Sequence, residues 1–244
     1  MKKIFVILLS VIGLISCKDN STEGISTITN YPVITINGDQ EVFVTQGSVY
    51  NDAGAVSTEG ETEITTNTSF SSGVYWGAEG IDTDSPDSYV VNYSAENKDG
   101  FYGNAMRHVW VGTTGDLVSS IEGIYLSSIQ RAPSFASLSQ YDNKKYVIIK
   151  KLGVNKFEIS HAAGGYYDYG RGYGPDYAAR GAVITVNSML TNDFSISQAK
   201  FPVWGNTVDI TDFKVDSTNK TITFTGNANF GNGTFKVQLK QVNF

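Results

Sequence analysis

Five tyrosines (Tyr166, Tyr167, Tyr169, Tyr173 and Tyr177) share the segment from Gly164 to Tyr177 with Arg171, Asp168 and Asp176, punctuated by glycines and Pro175. Glycine lets the backbone reach positive φ and approach a ligand closely, and tyrosine offers a flat apolar ring with a polar end. Sugar rings and extended peptides are bound by that combination, with ring stacking for area and hydroxyls and a charge for orientation. The same residues also suit a long hairpin connection whose tyrosines cover the end of a barrel, because long loops on β-scaffolds serve either purpose. Recognition predicts that Asp168, Tyr169, Arg171, Tyr173 and Tyr177 stand partly exposed. Packing is expected of Tyr166 and Tyr167, which adjoin a strand. Trp76, flanked by Tyr75 and Gly77, is the exposed candidate among the tryptophans, while Trp110 and Trp204 are expected in core or edge packing.

Catalytic chemistry finds little support in the same residues. Asp168 and Asp176 have the types of a glycosidase carboxylate pair, but acids at such spacing in a loop are commonplace. No serine or cysteine lies in an elbow or triad context. His108 and His161 are the two histidines, and neither has a neighbouring His or Cys, so zinc is not expected. Asp82, Asp84 and Asp87 resemble a calcium-seeking run but lack the glycine and distal glutamate of an EF-hand loop, which leaves a solvated acidic turn. The expectation is therefore a non-enzyme, with no catalytic residues, no metal and no cofactor. An excess of 24 acidic over 18 basic side chains argues against nucleic acid, which needs a basic face.

The elements that must position these side chains are strands. Ser, Thr and Asn number 24, 22 and 18 in the 244 residues, and beyond residue 16 there are twenty valines against six leucines. β-Branched residues favour pleated surfaces and leucine favours helices, so the class is all-β. Lys2 and Lys3 precede an apolar run from Ile4 to Ile15, a secretory signal too short to span a membrane. Leu14-Ile15-Ser16-Cys17 follows and resembles the lipobox of bacterial lipoproteins. That resemblance implies removal of residues 1–16 and acylation of Cys17, with residues 17–30 as a tether. Losing Lys2 and Lys3 takes the formal charge from −6 to −8. Lys18-Asp19 is similar to the signals that send Bacteroidetes lipoproteins to the cell surface, although these usually carry more acid.

Residues 31–113 read as a first β-domain. Val33–Ile36 and Glu41–Val44 flank Asn37-Gly38, a hairpin signal, and Glu63–Thr66, Gly73–Trp76, Ser88–Ala95 and Ala105–Val111 are further strand candidates. In Tyr89–Ser94, the residues Tyr89, Val91 and Tyr93 fall on one face. Pro32–Gly38, Gly47–Ala55 and the later Val90–Ala95, Asp99-Gly100 and Asn104–Val109 resemble the bacterial immunoglobulin-like repeats of surface proteins, which implies a spacer or interaction sandwich.

A linker at Gly112–Gly115 precedes a second domain, residues 116–244. Strands are expected at Gly123–Arg131, Lys145–Leu152, Lys156–Ser160, Ala182–Asn187, Thr207–Ile210, Lys220–Thr225 and Thr234–Val242, folded as an antiparallel sandwich or partial barrel. Short helical turns are expected at Asp116–Ile121 and Asp176–Arg180. Phe157–Ser160, Gly164–Gly174 and Val203–Asn206 resemble the C-terminal domain of two-domain Bacteroides surface lipoproteins. The resemblance implies a lipid-anchored outer-membrane surface protein accompanying a SusC/SusD-type importer and binding a glycan, a peptide or the importer itself. An adhesion or structural module is the alternative, and a small glycoside hydrolase or peptidase the enzyme-class rival.

Overall fold

A computed structural model describes residues 29–143 and 145–244; the signal, Cys17 and most of the tether lie outside the described residues. The first seven strands are β1 (Pro32–Ile36), β2 (Glu41–Thr45), β3 (Ala55–Glu59), β4 (Thr62–Ile64), β5 (Asn67–Phe70), β6 (Asp87–Glu96) and β7 (Tyr102–Gly112). They form a three-stranded sheet in the order β1-β3-β4 and a four-stranded sheet in the order β2-β7-β6-β5. The alternation read in β6 places Tyr89, Val91 and Tyr93 in the core of this sandwich with Val44, Val109 and Val111. Two local expectations fail. β1 and β2 do not pair across Asn37-Gly38: β1 runs against β3, and β2 lies parallel to β7 in the other sheet. Arg107 accounts for the separation, because its Nε donates to the Asp39 carbonyl at 2.8 Å and its guanidinium also reaches the Asn37 carbonyl, filling the place a hairpin would close. Gly73–Trp76 is a turn rather than a strand, held by Asp87, whose carboxylate accepts the Tyr75 and Trp76 amides at 2.9 and 2.8 Å.

The second half is one curled antiparallel sheet of nine strands, a half-barrel. Its strands are β8 (Gly123–Arg131), β9 (Lys145–Gly153), β10 (Lys156–Ile159), β11 (Ala182–Ser188), β12 (Asp193–Ile196), β13 (Ala199–Lys200), β14 (Thr207–Asp216), β15 (Thr221–Ala228) and β16 (Thr234–Gln241). They lie in the order β12-β11-β10-β9-β8-β16-β15-β14-β13. Every second residue of β15 and β16 is buried (Ile222 and Phe224; Phe235, Val237 and Leu239), so one face makes the core. The curl brings the two flanks together, where Phe194 of β12 meets Phe213 of β14 at 4.9 Å between ring centroids. The expected helix at Asp116–Ile121 is absent; Asp116 instead accepts the amides of Val118, Ser119 and Ser120 in a bend.

Between the two halves lies a third apolar cluster containing Tyr75, Trp110, Ile124, Ile148 and Ala178, with Phe43, Trp76, Tyr146 and Tyr169 packed against it. β7 explains how one strand serves two cores. Its last residues, Val109, Trp110 and Val111, are all buried, so alternation sends the valines into the sandwich and Trp110 into the junction. The Gly112–Gly115 connection is tightly packed. A Cβ on Gly115 would stand 2.6 Å from the Ser120 carbonyl oxygen and 2.8 Å from that of Glu122.

Candidate functional site

The Gly164–Tyr177 segment divides into two parts with different environments. Gly165, at φ 89°, starts a single wide turn over Tyr166–Gly170, closed by the Gly170 amide on the Gly165 carbonyl and the Arg171 amide on that of Tyr166. A Cβ on Gly165 would lie 2.7 Å from the Tyr169 ring, so the turn needs glycine for space as well as for φ. Within the turn, Tyr166 and Tyr167 enter the half-barrel core. Tyr166 stacks on Tyr141 at 4.5 Å, and the Arg131 guanidinium lies 5.1 Å from the Tyr166 ring centroid and 5.5 Å from that of Tyr167. Asp168 and Tyr169 point the other way, into the junction.

There the structure departs from the sequence expectation. Asp168 is 5 % exposed, and the Tyr169 ring packs in the junction cluster rather than facing solvent. Asp168 Oδ2 lies 3.0 Å from His161 Nε2 and accepts the Tyr75 hydroxyl at 3.2 Å, while the Tyr75 and Tyr169 hydroxyls are in direct contact. His161 Nδ1 lies 2.7 Å from Ser160 Oγ, which in turn accepts the Ile148 amide at 2.9 Å. One continuous chain of polar contacts results, with His161 Nε2 facing the carboxylate and Nδ1 facing the serine hydroxyl. Burial first, then the neighbouring hydroxyl and the Asp168 carboxylate, push the Tyr75 phenol well above its ordinary value, and burial with Asp168 does the same to Tyr169. Both phenols keep their protons. A lone buried carboxylate is costly, and Asp168 is accommodated in the junction by two partners, His161 and the Tyr75 hydroxyl.

Ser160, His161 and Asp168 therefore share a chain of hydrogen bonds with the residue types of a hydrolase triad. Its environment argues for an architectural role, because Ser160 and His161 are 0 % exposed and the serine oxygen already accepts a backbone amide. A nucleophile needs room for a substrate carbonyl, and none reaches this hydroxyl. Arg180 adds to the junction by donating to the Tyr75 carbonyl at 3.0 Å. The residues that make this junction stand 93 or more positions apart in sequence, Tyr75 with Asp168, Tyr169 and Arg180, and no local pattern announces them.

The second part of the segment faces outward. Tyr173 is 46 % exposed, Arg171 is exposed with its guanidinium 5.9 Å from the Tyr173 ring centroid, and Tyr177 is half-buried. Trp204, expected in packing, joins them at 40 % exposure from the loop after β13, where Pro202 and Val203 are exposed too. Tyr177 meets Tyr173 at 5.3 Å and Trp204 at 5.0 Å, edge to face, and Trp204 rests on buried Tyr167 at 4.7 Å. The result is a rigid aromatic patch seated on the core. Val203-Trp204-Gly205-Asn206 was the available signal, a tryptophan in a turn closed by the Phe201 amide on the Asn206 carbonyl. Trp76 does not belong to the patch. It is half-buried in the junction, with the Lys150 ammonium 4.0 Å from its ring centroid and no acceptor for its indole N–H among the described residues. The acidic turn is closed by its own groups, since Asp82 accepts the Asp84 amide and the Ser85 hydroxyl.

Comparisons with known proteins agree with this architecture. The model of a bacterial surface protein Ig-like domain matches residues 34–111, and that of a C-terminal-domain family matches residues 114–241. No curated protein matches the chain. Among solved structures, the crystal structure of the lipoprotein BT2262 from Bacteroides thetaiotaomicron is similar over 86 % of this chain and 100 % of its own, at 25 % identity and a TM-score of 0.63. The two-domain arrangement is thus a shared one, and the chain belongs to the family of two-domain Bacteroides surface lipoproteins.

Proposed function

We propose that this protein is a lipid-anchored, non-enzymatic binding protein of the outer cell surface, whose C-terminal half-barrel docks a SusC/SusD-type importer through the patch of Tyr173, Tyr177, Trp204 and Arg171. The observation that carries this reading is the exposure of those aromatic side chains on a fixed base. Tyrosine, tryptophan and arginine dominate the energetics of protein interfaces, and rings already immobilised lose little entropy on binding. The sealed state of Ser160, His161 and Asp168 supports the non-enzymatic part. Family membership and the Leu14–Cys17 run support anchoring through an acylated Cys17.

The test is binding of the full chain to purified SusC/SusD-type importers from the outer membrane of the same cells, read by surface plasmon resonance. Trp204→Ala and Tyr173→Ala should each weaken binding roughly thirtyfold, the effect of losing about 2 kcal/mol at a central anchor. Melting should be unchanged in Tyr173→Ala and lowered in Trp204→Ala, whose ring rests on Tyr167 and Phe201, while both variants stay folded at the assay temperature. Equal affinity for wild type and variants, or no binding, refutes the reading. Cys17→Ala should move the protein from the membrane fraction to the soluble one; unchanged retention would rule out the lipid anchor.

A further inference from the structure

Away from the aromatic patch, the outer face of the half-barrel carries a groove of about 420 Å³ over β8, β16, β15 and β14, walled by Ser137, Leu138, Tyr141 and Asp142 of the β8–β9 connection. Its volume lies within the roughly 300–1,000 Å³ of small-ligand sites. The strand register explains its floor. Ser128 stands opposite Gln238, Gln238 opposite Thr223, and Thr223 opposite Lys214; in the next row, Gln130 faces Lys236 and Lys236 faces Thr225. Two cross-strand rows of hydroxyl, amide and ammonium groups thus lie side by side, while the alternate residues Ile129, Val237 and Phe224 fill the core beneath. The bulge between Thr211 and Lys214 brings Asp212 to the rim.

We infer that this groove is a binding site for a neutral, hydroxyl-rich ligand, a short oligosaccharide. Three features select that class. The charges on the lining are balanced, Lys214 and Lys236 against Asp142 and Asp212, so an anion gains no net attraction. The two central floor strands, β16 and β15, are paired on both sides, and the β8 margin is walled by Ser137–Asp142, so the middle of the floor offers no free backbone edge for an extended peptide to join as an added strand. The outward side chains of the floor are a grid of donors and acceptors beside an apolar wall of Leu138 and Tyr141, which suits a sugar, whose hydroxyl groups both give and accept hydrogen bonds and whose ring faces are apolar. Gln130 is held for that role by its Nε2 donating to Ser137 Oγ at 2.7 Å, and the Lys236 ammonium is set 4.7 Å from the Phe135 ring centroid.

The site is independent of the docking patch, and its test keeps the two apart. The full soluble chain (Cys17→Ala) is titrated calorimetrically with neutral gluco-, manno-, xylo- and galacto-oligosaccharides, sulfated galactan fragments and tripeptides. Binding of at least one neutral series is expected. Gln238→Ala and Thr223→Val should weaken it tenfold or more, and Trp204→Ala should leave it unchanged. Melting of the two groove variants should stay at the wild-type temperature, because Gln238 is exposed and Thr223 is half-buried on the outer face. No neutral oligosaccharide binding, stronger binding of the sulfated or peptide probes, or binding that survives both groove substitutions would each overturn the inference. Binding lost in Trp204→Ala alone would also overturn it, by moving the saccharide to the patch.

Discussion

Two tyrosines four positions apart in one loop answer to different physics. Tyr169 is packed in the junction with its hydroxyl against Tyr75, whereas Tyr173 is 46 % exposed. Tyr169→Ala should therefore cost about 3–5 kcal/mol, as aromatic truncation in a core does. Tyr173→Ala should change stability by about 0.5 kcal/mol or less. Urea unfolding of the two variants checks both values, and similar losses would show that the loop is not divided at Arg171. A second site concerns Asp52, which accepts Tyr50, Tyr93 and Gly54 and pairs with buried Arg107. Burial acts to raise the carboxyl's pKa, but the hydrogen bonds from Tyr50, Tyr93 and Arg107 outweigh it and hold the group below its ordinary value of about 3.9. A carboxylate lowered on folding contributes stability that is present above its unfolded pKa and lost as pH falls through the folded one. Thermal melts should thus lose ground below about pH 4, less so in Asp52→Asn, which at neutral pH should be destabilised by roughly 3 kcal/mol for leaving Arg107 buried without its charge partner. Asp87, pushed up by burial, titrates in the opposite sense, so the comparison of variants isolates Asp52.

Elements defined by alternation were legible in the sequence, and those defined by contact were not. Tyr89, Val91 and Tyr93, or Phe235, Val237 and Leu239, announce a strand and its buried face because period two is a local property. Asn37-Gly38 misleads because the partner of β1 is chosen by Arg107, 70 residues away, rather than by the turn. Asp87 likewise converts Gly73–Trp76 from strand to turn by collecting its amides. Of the candidate site, the exposure of Arg171 and Tyr173 and the partial exposure of Tyr177 followed from the glycine-rich spacing, whereas the fates of Asp168 and Tyr169 depend on Tyr75 across the junction. Gly112–Gly115 reads as a flexible linker in composition alone. Packed against two carbonyl oxygens, Gly115 should instead tolerate no side chain, and Gly115→Ala should destabilise by about 1–3 kcal/mol in urea titration. An unchanged midpoint would mean that the connection yields freely.

For the whole molecule, the junction decides whether two sheets behave as one body. Residues 29–113 and 116–244 have separate cores, which favours independent folding. Yet cutting between them would expose Trp110 and Ile124, both 2 % exposed or less, and would strip Asp168 of the Tyr75 hydroxyl. A lost partner in a buried polar network leaves a desolvated group unpaired, at about 1–3 kcal/mol or more when it is charged. The full chain should melt in a single calorimetric transition whose van't Hoff and calorimetric enthalpies agree, with each isolated half melting lower. Two resolved transitions in the intact chain would show the junction to be weak.

The position of β16 sets the order in which the molecule can be completed. The last strand of the chain lies in the middle of the nine-stranded sheet, where Ser127 on β8 is paired with Leu239, more than a hundred residues later. Closing so long a loop before any contact rewards it makes such pairing slow. A chain that emerges from its N-terminus therefore finishes the Ig-like sandwich while the half-barrel still waits for its central seam. β8 and β9 can pair early, but the flank from β13 to β15 has no sheet to join until β16 arrives. The topology itself keeps the nine-stranded sheet in two unjoined parts until β16 is available, and makes the pairing of β16 with β8 the step that commits the half-barrel.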